Sequence, residues 1–428
     1  MTSARSSSHN ILMIVQNLPV PFDRRVWQEA GTLSRAGFGV TVICPKSKRY
    51  AKSYECLYGV HIYRYPLLIE SSDSVLGYFL EFTYCWLATL MLAVVAYLRC
   101  PFQAIHACNP PDTYFAIALL FRPLGVKFVF DHHDLCPELY VAKGHPPRGV
   151  VYSILLLLEQ LTFRTADVVV AVNESYRQIA RTRGRLSDEK IVVVRSGPRL
   201  GWAKVDGPKT DLKQGRKHLV VFLGQIGKQD GVDYLLRAIR IYRRQYGSDT
   251  RFVIIGDGPN QRSMQSLAAE LDVTDTVEFL GQIDDEQLCL YLSSADICVD
   301  PDPCTHFNNC STMNKIVEYM SFGKPTVAFD LVEHRRSALE AAHYIEPNDV
   351  NKFATGVREL LEDEERRQRM ARFAKKRFQE VLAWDLTEAT LVRTYEELLN
   401  GSDFIVPESR VGTHRYSGDP VVVAGKVA

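Results

Sequence analysis

Strand-like and helix-like segments alternate along most of this chain, and this alternation limits its possible folds more than any other feature. A buried strand over 10–15 is followed by a helix over 25–36, a glycine stop at Gly37 and a second strand over 39–44. A β-α-β order of this kind requires parallel strands, with the connecting helices covering both faces of the sheet. The sequence therefore predicts an α/β fold built on doubly wound parallel sheets.

The same alternation starts again at His218, after a stretch rich in Gly, Pro and Lys over 196–217. A chain of 428 residues also exceeds the usual size of one hydrophobic core, so two domains are expected. Ligands bind such sheets at the carboxyl ends of the strands, which predicts a site in the cleft between two facing domains. We predict a first domain over 1–200, a second over 201–385, a helix over 386–400 that returns to the first domain, and a flexible tail over 401–428.

Composition argues against several functional classes. The 51 basic and 50 acidic residues leave a net charge of +1, which gives no electrostatic reason to expect a nucleic-acid partner. Ten cysteines occur without a Cys-x-x-Cys framework, which is typical of reduced thiols in a cytosolic protein and suggests no zinc site. The first apolar run, Ile11 to Val15, is too short for the core of a signal peptide. We expect a cytoplasmic protein.

One long apolar helix, predicted over 75–98, is a candidate for membrane contact. The stretch from Phe82 to Leu98 contains no charged residue and approaches the length of a membrane span. A span would divide the first domain between two compartments, so a helix lying on the membrane surface fits better. An aromatic cluster at its start favours that interpretation, and burial in the first domain is the alternative. The predicted location is peripheral, on the inner face of the cell membrane.

The segment from Ser311 to Pro325 predicts an anion-binding helix with a hydroxyl-rich start and a glycine stop. At helical spacing, Ser311, Lys315 and Glu318 share one face, opposite an apolar one. The free N–H groups of the first turn, the hydroxyls of Ser311 and Thr312 and the Lys315 ammonium would suit a phosphate. Glu318 could accept hydrogen bonds from sugar hydroxyls. The alternative is an ordinary solvated face with Ser311 as the helix cap.

Glycine-rich turns follow two strands of the predicted second domain. The loop from Gly224 to Gly231 could bring backbone amides and Lys228 close to a diphosphate. The turn that begins at Gly256 would allow a ligand to approach closely, although it suits a simple connector equally well.

Two polar clusters follow strands of the first domain. His133 lies among imidazoles and carboxylates at the carboxyl end of a strand, where it is predicted to be functional. Asp23, Arg24 and Arg25 precede a helix and could contact an acceptor phosphate. Capping of that helix by Asp23 is an equally good interpretation.

These segments together resemble the retaining nucleotide-sugar glycosyltransferases of family four, from Asn10 to about Asn400. The resemblance is closest to bacterial transferases that build O-antigen or exopolysaccharide on lipid carriers, including aminodeoxyhexose transferases of the WbuB type. It implies the GT-B architecture, in which two Rossmann-like domains face each other across a cleft. The motifs that carry it are 21–30 (PFDRRVWQEA), 131–138 (DHHDLCPE), 255–259 (IGDGP), 279–281 (FLG) and the 311–325 helix.

The resemblance implies an acceptor-binding first domain and a second domain that binds the nucleotide sugar. His133 matches the histidine that lies against the donor sugar and diphosphate, and Glu318 matches the glutamate that binds the donor ribose. Ser311 and Thr312 match helix-start residues near the diphosphate. No metal ion or other cofactor is expected.

The chain departs from the family pattern at three positions. Cys310 occupies the place of a glutamate that holds the transferred sugar in many members, and Asn308 or Asn309 is the expected substitute. Gln225 and Asp230 stand where many members carry an arginine and a lysine. Lys228, Lys315 or Arg195 would have to supply that positive charge.

The implied reaction transfers a sugar, with retention, from a nucleotide-sugar donor to a lipid-linked saccharide acceptor in bacterial surface-polysaccharide synthesis. The alternative is a non-catalytic nucleotide-sugar-binding subunit of a membrane glycosylation complex, since a fold alone does not establish activity. A dinucleotide oxidoreductase fits poorly, because the turn over 16–25 after the first strand contains no glycine.

Overall fold

The computed structural model describes residues 9–67, 75–203 and 207–401 of the chain. The tail predicted over 401–428 therefore lies, apart from Gly401, outside the described residues. The described part forms two sheets, each flanked by helices on both faces. The predicted α/β class with two doubly wound domains is confirmed.

The sheet of the first domain has the strand order β3-β4-β2-β1-β5-β6-β7-β8. Its strands are parallel except β3, which pairs with β4 in the antiparallel sense and was not predicted from the sequence. The order reverses between β1 and β5, which makes their carboxyl ends the switch point of this sheet. The strands are β1 (Asn10–Ile14), β2 (Gly39–Pro45), β3 (Tyr54–Leu57), β4 (Val60–Tyr65), β5 (Ala104–Cys108), β6 (Lys127–His132), β7 (Val168–Ala171) and β8 (Ile191–Val193).

Helices follow most of these strands and cover both faces of the sheet. Helix α2 packs on β2 and β4, and α3 and α5 pack on β6. The helices are α1 (Arg24–Arg35), α2 (Val75–Arg99), α3 (Phe115–Phe121), α4 (Cys136–Ala142), α5 (Val150–Thr165) and α6 (Glu174–Thr182).

The second sheet has the strand order β11-β10-β9-β12-β13-β14, and every pairing in it is parallel. Its switch point lies between β9 and β12. The strands are β9 (His218–Leu223), β10 (Thr250–Ile255), β11 (Val277–Gly281), β12 (Ile297–Asp300), β13 (Thr326–Phe329) and β14 (Ala342–Ile345). The helices are α7 (Val232–Tyr246), α8 (Gln261–Glu270), α9 (Asp285–Ser294), α10 (His306–Cys310), α11 (Asn314–Ser321), α12 (Val332–Ala338), α13 (Val350–Glu362) and α14 (Glu364–Arg377).

The last helix, α15 (Trp384–Asn400), leaves the second domain and packs against α1 of the first. Trp384 and Tyr395 are fully buried in the core under α1. The Trp384 indole donates a hydrogen bond to Thr32 Oγ1 at 3.0 Å, and the Tyr395 hydroxyl lies 2.6 Å from His106 Nδ1. The end of the described chain is thus part of the first domain's core.

Candidate active site

A cleft of about 930 Å³ separates the two domains. It is lined by the loops after β1, β5, β6, β7 and β8 in the first domain and after β9, β10, β11 and β12 in the second. Both switch points therefore open into the same space, which is where doubly wound sheets bind ligands. The predicted residues that line it are Asp23, Arg24, Arg25, His133, Gly224, Gly256, Ser311, Thr312, Lys315 and Glu318.

His133 directly follows β6, and its imidazole is held by the carboxylate of Asp131. Its Nδ1 lies 3.0 Å from Asp131 Oδ2, and its backbone N–H donates to Asn109 Oδ1 at 2.9 Å. Burial lowers the pKa of His133, but the nearby Asp131 carboxylate outweighs this effect and raises the pKa to about 8. The first domain thus presents to the cleft an imidazole that is largely protonated at neutral pH.

Asp131 is the centre of a buried charge cluster beneath His133. Burial alone would raise its pKa, but the guanidinium of Arg25 holds the pKa well below its usual range. Arg25 reaches both Asp131 oxygens, at 2.9 and 2.7 Å, and lies 3.0 Å from Glu29. His106 lies 3.3 Å from Glu29 and 3.8 Å from Asp131. Asp131 is a site residue that the sequence did not single out.

The three residues predicted to bind an acceptor phosphate have different surroundings. Asp23 caps α1 by accepting from the Val26 N–H at 3.0 Å, as its alternative interpretation proposed. The Arg25 guanidinium is occupied by the cluster around Asp131, although the residue reaches the cleft wall. Arg24 is half exposed and bridges the cleft, 3.2 Å from Glu318 and in contact with Asp285 of α9. Of the three, Arg24 is the one whose charge faces the opposite domain.

The structure corrects the predicted start of the 311–325 helix. Helix α11 begins at Asn314, because Ser311 ends the short helix α10 in an extended conformation. The Ser311 hydroxyl donates to the carbonyl of Phe307 at 2.9 Å and lies 3.2 Å from the hydroxyl of Tyr176 in the first domain. Thr312 Oγ1 accepts from Asn173 of the first domain at 2.9 Å. Both hydroxyls line the cleft and also join the two domains.

Lys315 and Glu318 project from α11 into the cleft, one turn apart. The Lys315 ammonium lies 2.7 Å from Asp302 and 3.5 Å from Asp300. Burial lowers the pKa of Lys315, but these carboxylates outweigh burial and raise it. The Glu318 side chain is 15% exposed; burial raises its pKa, and the Arg24 guanidinium opposes that shift. A ligand phosphate would have to share Lys315 with Asp302.

Gly224 and Gly256 allow the backbone of two loops to meet at the floor of the cleft. A Cβ at Gly256 would lie 1.8 Å from the Gly224 carbonyl oxygen, and Gly256 has a φ of +132°. Only glycine fits this arrangement without displacing the backbone. A Cβ at Gly224 would itself lie 3.2 Å from the side chain of Lys315.

Two predicted donor-binding residues lie outside the cleft lining. The ammonium of Lys228 reaches across to the first domain, where a Cβ at Gly144 would lie 3.5 Å from it. Asn309 accepts from the Val332 N–H at 3.1 Å and faces α12. Its neighbour Asn308 lines the cleft instead, buried and held by the carbonyls of Gln229 and Pro303 at 2.9 Å each. Asn308 is therefore the better placed of the two substitutes for the missing glutamate.

Asp230 and Asp302 are cleft residues that sequence reasoning did not propose as ligand contacts. Asp302 follows β12 at the switch point, so its position after a predicted strand was an available signal. Asp230 accepts from the Gly227 N–H at 2.9 Å and orders the glycine-rich loop. Tyr176 and Asn173 were also missed, because they act through contacts with the other domain.

Two groups of possible metal ligands occur among the described residues, at Glu29, His106, Cys108 and Asp131 and at Asp300, Asp302 and His334. A side-chain cation contacts each group: Arg25 lies 2.7 Å from Asp131, and Lys315 lies 2.7 Å from Asp302. In both places the carboxylate charge is already partly compensated by the protein itself.

Two Rossmann-like domains that face each other across a cleft at the carboxyl ends of their strands define the GT-B class. Residues 23–197 match the family described as "Glycosyl transferase 4-like domain", and residues 208–377 match "Glycosyl transferases group 1". The chain is a glycosyltransferase with GT-B architecture.

Named relatives agree with this assignment. The alpha-D-kanosaminyltransferase of Streptomyces kanamyceticus is 26% identical over 268 residues, which cover 59% of this chain and 66% of that protein. Sucrose-phosphate synthase from Thermosynechococcus elongatus has the same fold, with a TM-score of 0.75, 17% identity and coverage of 92% of this chain and 100% of that one. HepE from Anabaena, solved with UDP and glucose, superposes with a TM-score of 0.67 and 15% identity, covering 92% and 100% of the two chains.

Proposed function

We propose that this protein transfers a sugar from a nucleotide-sugar donor to the hydroxyl of a lipid-linked saccharide, with retention of anomeric configuration. The observation that carries the proposal is the convergence of Glu318, Lys315 and His133 on one cleft from both domains. The HepE structure with UDP-glucose supports this class of donor. The process we propose is bacterial surface-polysaccharide synthesis, by an enzyme at the inner face of the cell membrane.

Each of the three side chains has a role in this reaction. The donor diphosphate gains negative charge as the sugar leaves, and preorganised dipoles and cations stabilise that charge. Lys315, protonated His133 and the free N–H groups at the start of α11 would provide them. Glu318 would accept hydrogen bonds from donor ribose hydroxyls.

The acceptor hydroxyl would attack from the side that the leaving group vacates, and a departing phosphate oxygen would take its proton. Holding donor and acceptor in one cleft supplies the orientation that such a reaction needs. The proposed reaction therefore uses neither a side-chain base nor a metal ion.

A reconstituted transfer assay tests the proposal. The purified protein is incubated with a panel of nucleotide sugars and polyprenyl-diphosphate glycans, nucleotide release is measured, and the product's anomeric configuration is read by NMR. We expect retained configuration, and a loss of more than about tenfold in rate for His133→Ala and for Glu318→Ala. Lys228→Ala is the matched control, since Lys228 lies outside the cleft lining.

The assay also separates the two functions considered. Donor binding without nucleotide release by any acceptor would favour the non-catalytic subunit. Turnover with near-normal rates in the His133 or Glu318 variant would reject the role given to that residue. Inversion at the anomeric carbon would reject the mechanism.

A further inference from the structure

Helices α2, α3 and α5 carry most of the exposed large apolar side chains in the part of the chain that the structure describes. On α2 the exposed residues Leu87, Met91, Val94 and Leu98 recur at helical spacing and form one outward stripe. The others on these helices and the turn after α3 are Phe79, Leu80, Phe82, Leu119, Leu120, Leu124, Val150, Val151, Ile154 and Leu157. We call the outer surface of α2, α3 and α5 the apolar face.

The apolar face is formed by large side chains that the core leaves outside. The buried residues of α2 are small, among them Cys85, Ala88, Ala93 and Ala96, while larger ones such as Trp86 and Leu90 pack against the core only in part. Leu87, Met91 and Leu98 are 55%, 61% and 78% exposed. Helices of a soluble domain normally place their large apolar residues toward the core. Helix α2 instead carries large apolar residues on its outer side as well as toward the core, which indicates that its outer side meets a second apolar medium.

The three helices form one continuous surface. The rings of Tyr97 on α2 and Phe121 on α3 lie 5.4 Å apart, and α3 packs against α5. Helix α5 in turn packs against α4, whose residue Leu139 and the following Lys143 line the cleft. The apolar face is therefore separated from the proposed active site only by α4.

The charges around the apolar face have one predominant sign. The only acidic residues on the three helices are Glu81, which is partly buried, and Glu159, which is fully buried against Arg183. Exposed arginines stand at or just beyond the carboxyl-terminal ends of the helices, at Arg99, Arg122 and Arg164. The carboxylate of Asp167, just after α5, is 20% exposed and lies 3.5 Å from Arg122, which balances its charge. A surface of exposed apolar residues with a predominantly cationic edge matches an anionic phospholipid surface.

We infer that the apolar face rests on an anionic phospholipid bilayer, with α2 lying along the membrane. Phe79–Arg99 is long and apolar enough to span a membrane by length and composition, but its inner side is part of the domain core over β2 and β4. Lying along the surface keeps that core intact. This inference deepens the proposed function, because it places the cleft near the lipid that would carry the acceptor.

Vesicle flotation of the full chain tests the inference without any substrate. We expect the protein to float with phosphatidylcholine vesicles that contain phosphatidylglycerol and to bind vesicles of phosphatidylcholine alone less tightly. Leu87→Glu and Met91→Glu should each weaken binding by roughly tenfold, because each places a charge where an apolar side chain would enter the lipid. The matched control is Leu386→Glu, which puts the same charge at a 46% exposed leucine of α15, away from the apolar face.

Two further measurements make each outcome decisive. Circular dichroism and transfer to a soluble saccharide acceptor should be unchanged in the face variants, so loss of binding cannot be attributed to misfolding. Sedimentation in solution tests whether a second copy of the chain covers the apolar face. Failure to float, equal binding by the face and control variants, or a dimer that Leu87→Glu dissociates would each overturn the inference. Flotation without any sugar transfer would reject only the proposed function.

Discussion

The replacement Asp131→Asn tests whether the charge on His133 is set by the carboxylate beneath it. Asp131 raises the pKa of His133 to about 8, against the opposing effect of burial. Relative to the ordinary histidine pKa of about 6.5, this shift corresponds to about 2 kcal/mol in favour of the imidazolium. Without Asp131, burial remains, so the pKa of His133 should fall to the ordinary value or below it.

The expected result is a change in how donor binding depends on pH. At about pH 7.5, the protonated fraction of His133 should fall from roughly three quarters to roughly one tenth. If the imidazolium contacts the donor diphosphate, the KM for the donor should rise by about eightfold at that pH. The measurement is the donor KM from nucleotide release between about pH 6 and pH 9. The wild-type KM should rise as the pH passes through about 8. The KM of the variant should rise at a pH at least one unit lower.

Glu29→Gln is the matched control for this variant. It also removes a buried carboxylate next to Arg25 and His106, but the charges that mainly set the pKa of His133 are those of Asp131, Asp134 and Arg25. Removing one partner of a buried ion pair typically costs about 3–5 kcal/mol, so both variants should unfold at lower urea concentration. Only Asp131→Asn should move the pH profile. Identical KM profiles in the wild type and Asp131→Asn would refute the reasoning.

Four further predictions concern separate features of the molecule. Glu318→Gln should raise the donor KM without lowering the melting temperature, since its 15% exposed carboxyl faces the cleft. Gly256→Ala should lower both donor affinity and urea resistance, because its Cβ would collide with the Gly224 carbonyl. Transfer rates should be unchanged by EDTA, because cationic side chains perform the electrostatic role. The pKa of His106 is raised to about 9, so in urea titrations His106 should account for a loss of about 3 kcal/mol of folding free energy as pH rises from about 6.5 through about 9, in addition to the contribution of His133.

The features that could be predicted from the sequence are those encoded by neighbouring residues. Buried strands such as β1 and β9 are continuous apolar runs, and their periodicity differs from that of the helices between them. The order of these segments predicted the two parallel sheets. The positions of the carboxyl ends of their strands predicted the cleft. The edge strands β3 and β14 were missed because neither is a continuous apolar run: each contains a charged or imidazole side chain, Glu55 in β3 and His343 in β14.

The features that could not be predicted depend on residues far apart in the chain. Asp131 and Arg25 are 106 positions apart, and no local pattern links them. The start of α11 was misplaced because Ser311 has the chemistry of a helix cap, while the preceding α10 and the contact with Tyr176 determine its conformation. Lys228 was assigned to the cleft by its position in a glycine-rich loop, and Asn309 by its place beside Cys310. Their side chains instead meet Gly144 and the Val332 N–H, which are distant in the sequence.

The charge balance of the cleft connects the unusual residues of this chain to the role of His133. Asp230 and Asp302 lie in the cleft lining with Lys315, and Asp302 holds the Lys315 ammonium at 2.7 Å. A donor diphosphate entering there meets a cation that is already paired, so Lys315 alone provides less attraction than an unpaired lysine would. Arg24 is likewise paired, with Glu318 and Asp285. The start of α11 and His133, which Asp131 keeps protonated, add positive potential, and the contribution of His133 varies with pH. Donor affinity in this enzyme should therefore depend on pH more steeply than in a relative with two free cations in the loop after β9.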